Sequence, residues 1–316
     1  MSKTVNPALH PEALYAKSQV YISKGLRAKR SGELDEYQLW ASLALELLAK
    51  SSLSSSIHPA LIADPQHYQS LFAACGHPLS PDIKTITAKT LFPRLTHVSK
   101  RFDTRVQKFC EQLSLRRNSE LHSGESPFSG MKTEAWEKKY WHAIAVILEI
   151  QEKGLEQWLG AEDSKAPKQI LENTDAAIKM AVQTRISHAR EDFETAHKNI
   201  EKRAEYVQNN ECTRVYSHRK EFDINIDSFE LSDCPSCGAK GVLGGMFWEE
   251  EVCDEIDQDD PFVEYVDKIY LSEEFLCKVC GLHLLGFKEI EASPLPEEFH
   301  EFDERKREFE PDYGND

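Results

Sequence analysis

Two short cysteine pairs, Cys234-Pro235-Ser236-Cys237-Gly238 and Cys277-Lys278-Val279-Cys280-Gly281, place the tightest limit on how this chain folds. Thiolates separated by two residues grip one ion from a tight turn whose amides point at the sulfurs, and a following Gly meets the turn's demand for positive φ. Both pairs carry that Gly, so together they predict a closed, tetrahedral and structural zinc site with Cys234, Cys237, Cys277 and Cys280 as ligands. Two disulfides, or a redox pair, are the alternatives. The absence of an apolar secretory segment at the start disfavours the first, and the doubling of the motif disfavours the second. The 39 residues between the pairs exceed the commonest spacing of about 15–20 and imply an acidic insertion in the hairpin between the knuckles. Cys75, Cys110 and Cys212 read as small buried hydrophobes, and Cys253, inside the insertion, is an alternative ligand.

The rest of the chain divides by charge and by pattern. Residues 1–150 hold 19 Lys and Arg against 14 Asp and Glu, a net of +5, whereas residues 151–316 hold 19 against 40, a net of −21. A basic front half permits a phosphate-bearing partner, and an acidic rear half repels nucleic acid and suits a basic protein partner. From Pro11 to about Gly160 the apolar spacing is helical. Helices are predicted over Pro11–Arg30, Tyr37–Lys50, Pro93–His122 and Thr133–Leu159, which make a bundle of four or more. Trp136, Tyr140 and Trp141 are expected in its core. The segment from Glu172 to Val207 lacks Pro and Gly and repeats apolar residues at steps of three and four. It reads as one long amphipathic helix that either packs on its own domain or offers a seam to a partner helix. After Asn210 strand-like runs follow at Thr213–Ser217, Lys240–Trp248, Phe262–Leu276 and Leu282–Glu289, and the end from Pro294 is charged and expected to be loosely held. No apolar run approaches the roughly 20 residues of a membrane span, which points to a cytoplasmic protein with no membrane partner.

The sharpest chemical pattern is Arg116-Arg117-Asn118-Ser119-Glu120-Leu121-His122-Ser123-Gly124. Asn118 and His122 share a helix face, and Arg117 reaches round from a position offset on the same turn. A guanidinium can hold non-bridging phosphate oxygens while an imidazole exchanges a proton with a ribose 2′-hydroxyl, so the set suits phosphodiester chemistry. The same residues also suit an ordinary helix C-terminus, with Arg and His set against the dipole and Gly124 ending the helix. No Gly-rich phosphate loop, serine nucleophile elbow or His-Glu-x-x-His is present, which leaves ATPase, kinase, serine hydrolase and metalloprotease chemistry without support.

Arg117-Asn118-(three residues)-His122 resembles the defining motif of the HEPN domain proteins: Arg, four to six residues, then His, very often with Asn after the Arg. The resemblance covers about 150 of the 316 residues. It implies a helical bundle and a metal-independent endoribonuclease of the toxin or anti-phage kind, with a site formed where two copies of the motif meet in a homodimer. On that resemblance Arg117 binds the scissile phosphate, Asn118 orients the substrate or His122, and His122 serves as acid or base. Glu46 and Lys50, four residues apart on the Leu-rich helix, look like a charged pair found near the site in some relatives. Read from the residues alone, Glu46 and Lys50 are an ordinary solvated helix pair.

The expected fold class is therefore α+β. It consists of an all-α HEPN-like bundle over 1–162, a long helical connector over 163–212, a β-rich zinc ribbon with an acidic insertion over 213–292, and an acidic tail over 293–316. The expected function is RNA cleavage by 2′-hydroxyl attack, with zinc as a scaffold only. The rival is a non-catalytic dimeric interaction protein that docks a partner, or binds or mimics nucleic acid. On either reading Arg117 is expected at the surface, with little weight in stability.

Overall fold

The structure is a computed structural model that describes residues 6–222, 226–256 and 263–306. It is a mixed α and β protein, with helices in the N-terminal part and a curled antiparallel sheet in the C-terminal part. The chain forms two compact units, residues 1–175 and 176–316.

In the first unit, α1 (Pro11–Ser31) starts with Pro at its first position and stops at Gly32, whose φ of +82° suits a residue without a Cβ. The helix α2 (Leu34–Ser56) follows at once and buries Tyr37, Ala41, Leu45 and Leu48 completely. The short α3 (Tyr68–Ala74) and α4 (Ala88–Leu95) lead to α5 (Thr104–His122), α6 (Thr133–Glu149) and α7 (Leu155–Leu159). The helix predicted from Pro93 is in fact two. Pro93 lies inside α4, and α5 begins afresh where Asp103 accepts hydrogen bonds from the Arg105 and Val106 amides at 2.9 and 2.8 Å. Likewise α6 stops before α7, because Glu152 takes a left-handed φ of +55° and Gly154 caps the next helix. Trp136, Tyr140 and Trp141 are at most 3% exposed and belong to the core, where the Tyr140 hydroxyl donates to the Ala41 carbonyl at 3.1 Å. Cys110 and Cys212 are buried as expected, but Cys75 is exposed.

The expected single helix over 172–207 is divided. The helix α8 (Lys165–Ala196) ends before Asn199, whose side chain accepts from the Glu201 and Lys202 amides and starts α9 (Ile200–Asn210). The boundary between the two units falls inside α8, so the 163–212 connector is not a separate body.

In the second unit, Val182, Ile186 and Phe193 of α8 share one core with Leu243, Phe275, Cys234 and Cys277. The apolar seam is thus used within its own unit. The sheet comprises β1 (Ser228–Asp233), β2 (Lys240–Ile256), β3 (Val263–Leu276), β4 (His283–Leu285) and, after the short α10 (Phe287–Glu291), β5 (Glu298–Lys306). All pairings are antiparallel. The strand β3 has β2 on one side, and on the other it pairs with β4 near its end and with β5 along its first half. Residues 215–221 form a 3-10 turn where a strand was expected.

The acidic insertion, as far as it is described, lies between the knuckles as a lengthening of the paired strands β2 and β3, bent by register shifts at Gly244/Gly245, Phe247/Glu249 and Val252/Ile256. One expectation is corrected here. The tail is a paired strand as far as Lys306. Phe299 stacks on Tyr270 at 5.4 Å, while Asp303 meets Lys268 at 2.6 Å and Arg305 meets Glu264 at 2.6 Å. Acid that reads as a solvated run is matched across strands by the few cations present. The apex of the insertion, 257–262, and the last residues of the tail, 307–316, lie outside the described residues.

Candidate functional site

Two groups of side chains have the chemistry of a site, one in each unit. In the second unit the knuckles are near copies. The Gly238 amide donates to the Cys234 carbonyl and the Gly281 amide to the Cys277 carbonyl, each at 2.9 Å, and the two glycines have φ of +75° and +76°. The Cys234 amide donates to Ala239, and the Cys277 amide to Leu282, again at 2.9 Å. This repetition brings all four sulfurs within 4.8 Å of one another, with Cys234 to Cys280 at 3.5 Å and Cys237 to Cys277 at 3.7 Å. A tetrahedron with metal–sulfur bonds of about 2.3 Å has sulfur–sulfur edges of about 3.8 Å, so the cluster fits one metal ion. None of the four is in a disulfide. The Cys234 thiol is held far above its ordinary range because it donates to its three sulfur neighbours, and Cys280 is driven far below because it accepts from its own three. Four thiolates at this spacing need a cation to balance them.

Residues that the cysteine motif does not announce hold the knuckles in place. Arg190 of α8 donates to the Ser236 carbonyl at 3.0 Å and to the Pro235 carbonyl at 2.7 Å, which fixes the first knuckle. Arg185, five residues earlier, donates to the His283 carbonyl at 3.3 Å and pairs with Glu289 at 2.6 Å beside the second. Gly241 is required by packing, because a Cβ there would lie 2.5 Å from the Phe275 ring and 2.9 Å from the Leu276 carbonyl oxygen. Cys253 is not among the four clustered thiols.

In the first unit, Glu46, Lys50, Arg117 and Asn118 come together. Lys50 donates to Glu46 Oε1 at 2.8 Å and to the Thr85 hydroxyl at 3.0 Å, and Arg117 Nη1 pairs with Glu46 Oε2. The other edge of the guanidinium donates to Asn118 Oδ1 through Nε at 3.2 Å and Nη2 at 2.8 Å. Arg117 and Lys50 are 8% and 7% exposed. Glu46 and Lys50 are therefore no solvated pair, and Arg117 is neither at the surface nor a C-terminal cap. Burial raises the Glu46 carboxyl, but Lys50 and Arg117 outweigh it and hold the group below its usual range. Thr85, placed by a β-bridge to Ala63, is a member of this cluster that no sequence pattern marks. Asn118 also faces a cleft of about 440 Å³ bordered by Thr87, Lys89, Glu111, Ser114 and Leu115.

His122, the last residue of α5, is exposed one turn beyond Asn118. Among the described residues no hydrogen bond joins it to the cluster, so a single chain assembles four of the five expected site residues and leaves the histidine apart. No helix of the described residues is long and apolar enough to cross a membrane. Comparison with protein-family models, with curated proteins and with solved structures finds no match to this chain.

Proposed function

We propose that the protein is a metal-independent endoribonuclease of the HEPN type, an effector of the toxin or anti-phage kind, and that its four-cysteine centre holds one structural zinc ion. The observation that carries this reading is the charge balance of the first unit's cluster. One carboxylate, Glu46, is enclosed by two cations, Lys50 and Arg117, so a positive charge remains beside Asn118 and its cleft. That is the sign and the rigidity a phosphate site needs. A guanidinium has five N–H donors; Glu46 and Asn118 engage three, and two remain for the non-bridging oxygens of a phosphodiester.

In this mechanism His122 accepts the proton of a ribose 2′-hydroxyl. The 2′-oxygen bonds to phosphorus, the bond to the 5′-oxygen breaks, and the leaving oxygen takes up a proton. The products are a 2′,3′-cyclic phosphate and a 5′-hydroxyl. Because His122 stands apart from its own Arg117, the working site pairs the two motifs of a homodimer formed through the helical unit. Zinc supplies a crosslink for the knuckles and takes no part in cleavage. The acidic second half turns RNA toward the helical unit and offers a surface to a basic protein partner.

The second reading, a non-catalytic interaction module, is favoured by the burial of Arg117, which by itself suits a structural role. Expression of the wild type beside His122→Ala in cells, with growth and total RNA followed, separates the two. Arrested growth and fragments ending in cyclic phosphate, seen only with the wild type, support the ribonuclease. Intact RNA and equal growth for both select the module.

A further inference from the structure

The side of α5 opposite the Glu46 cluster carries a second feature. Phe109, Leu113 and Arg116 of α5 face Met131, Trp136 and Lys139 across a pocket of about 160 Å³. That is close to the volume of an apolar protein cavity that admits a single benzene ring, about 150 Å³. Its wall is mostly apolar and aromatic, with Gln112 also at its edge. Two cations stand at the same pocket without an acidic partner. Arg116 meets only the Met131 sulfur, a weak acceptor, at 3.1 Å, and Lys139 is exposed with no ion pair among the described residues.

An apolar slot for one ring beside two cations is complementary to one class of ligand. The geometry points to a binding site for a single-ring aromatic anion, its ring between Phe109, Leu113 and Trp136, and its phosphate or carboxylate on Arg116 and Lys139. The site shares no residue with the Arg117 cluster and stands or falls independently of RNA cleavage. Ligand binding here pins α5 to α6, and α5 carries Arg117 and His122, so an occupied pocket would report directly on the helix that holds the cleavage motif.

The test titrates the full-length, 15N-labelled protein with phenyl phosphate, benzoate, inorganic phosphate and phenol while the indole N–H resonances are observed. The Trp136 signal is assigned by its loss in Trp136→Phe. It should shift and saturate, through the ring current of the bound ligand, with at least one of the two aromatic anions at a Kd of about 1 mM or tighter. Which of the two binds more tightly identifies the head group. Inorganic phosphate, lacking the ring, and phenol, lacking the charge, should each bind at least about tenfold more weakly, and Arg116→Gln with Lys139→Gln should weaken aromatic-anion binding by about tenfold or more. Both substituted side chains lie at the pocket mouth, so that variant remains folded whatever Trp136→Phe does. A Trp136 signal unmoved by either aromatic anion, equal affinity for inorganic phosphate or phenol, or unchanged binding by the double variant overturns the assignment.

Discussion

Glu46 on α2 and Arg117 on α5 form a buried ion pair, closed on one side by Lys50 and on the other by Asn118. Two consequences follow from the burial. The pair ties together helices distant in sequence, and it holds the guanidinium in one orientation before any substrate arrives. Arg117 therefore carries structural and functional weight together, and substitutions there have to be read on both scales.

Arg117→Ala leaves Glu46 with Lys50 as its only charged partner. Breaking a buried pair typically costs about 3–5 kcal/mol, and the remaining lysine reduces this to about 2 kcal/mol. For a unit of this size that lowers Tm by roughly 4–8 °C. His122→Ala, on an exposed helix end, should stay within about 0.5 kcal/mol of wild type. Thermal melts of the two variants check the contrast, and equal melting temperatures would mean that the Glu46 contact contributes nothing. A loss of activity in Arg117→Ala is thus weaker evidence for catalysis than the same loss in His122→Ala.

The Glu46 carboxyl predicts a pH dependence with a definite sign. Its folded pKa lies below the ordinary 4.5, because Lys50 and Arg117 outweigh the burial that raises it. Its contribution to stability is complete above about pH 4.5 and is lost as pH falls through the folded pKa. The stability gap between wild type and Glu46→Gln should therefore be widest at neutral pH and close as pH drops below 4.5. Four of the five tryptophans, Trp40, Trp136, Trp141 and Trp158, lie in the first unit, so urea titrations followed by tryptophan fluorescence report mainly on it. A gap that widened toward acid would reverse the sign and exclude this account.

How far the sequence led differs between the two units, for physical reasons. The knuckles were legible because a turn that aims two sulfurs at one point fixes both spacing and glycine, so Cys234-x-x-Cys237-Gly238 states its own geometry. The helical bundle was legible from spacing of three and four, but its breaks were not, since Asp103 and Asn199 look like ordinary polar residues until their side chains cap a helix. β5 was missed because its acids resemble a solvated run until Lys268 and Arg305 are seen opposite them. The Glu46 cluster was half visible. Its members could be named from a motif, whereas their burial, and the part played by Thr85, arise only from tertiary packing.

The four-cysteine centre predicts about one zinc per chain in freshly purified, reduced protein, measured by elemental analysis. Cys234→Ser or Cys277→Ser should abolish retention. Arg190→Ala should weaken it by about tenfold, since outer contacts that orient metal ligands typically matter by 10–100-fold. Gly241→Ala should destabilise the second unit by about 1–3 kcal/mol through its clash with Phe275 and the Leu276 carbonyl. Chelation should unfold the second unit and leave the helical signal of the first. Protein that contains no metal and whose second unit is unaffected by chelator would remove the zinc assignment.

The acidic half and the cleavage chemistry can be tested with one shortened chain, provided it is cut in the right place. A cut after Gly160 would remove Ile170 and Leu171, which pack on the first unit's core, so the unit is properly ended after Asp175. Residues 1–175 should dimerise and bind RNA more tightly than the full chain at low salt, because the net charge of −18 on residues 176–316 no longer repels a polyanion. Light scattering and filter binding measure the two properties, and equal RNA affinity would end the repulsion idea. Cleavage by the full chain should persist in EDTA over short incubations, since Arg117 supplies the positive charge that a metal would otherwise supply. Mixing inactive Arg117→Lys with inactive His122→Ala should restore part of the activity if each working site takes its arginine from one copy and its histidine from the other. Heterodimers that stay inactive while both variants remain dimeric would place the two residues in the same chain's site, and an EDTA-sensitive wild type would remove the metal-independent mechanism altogether.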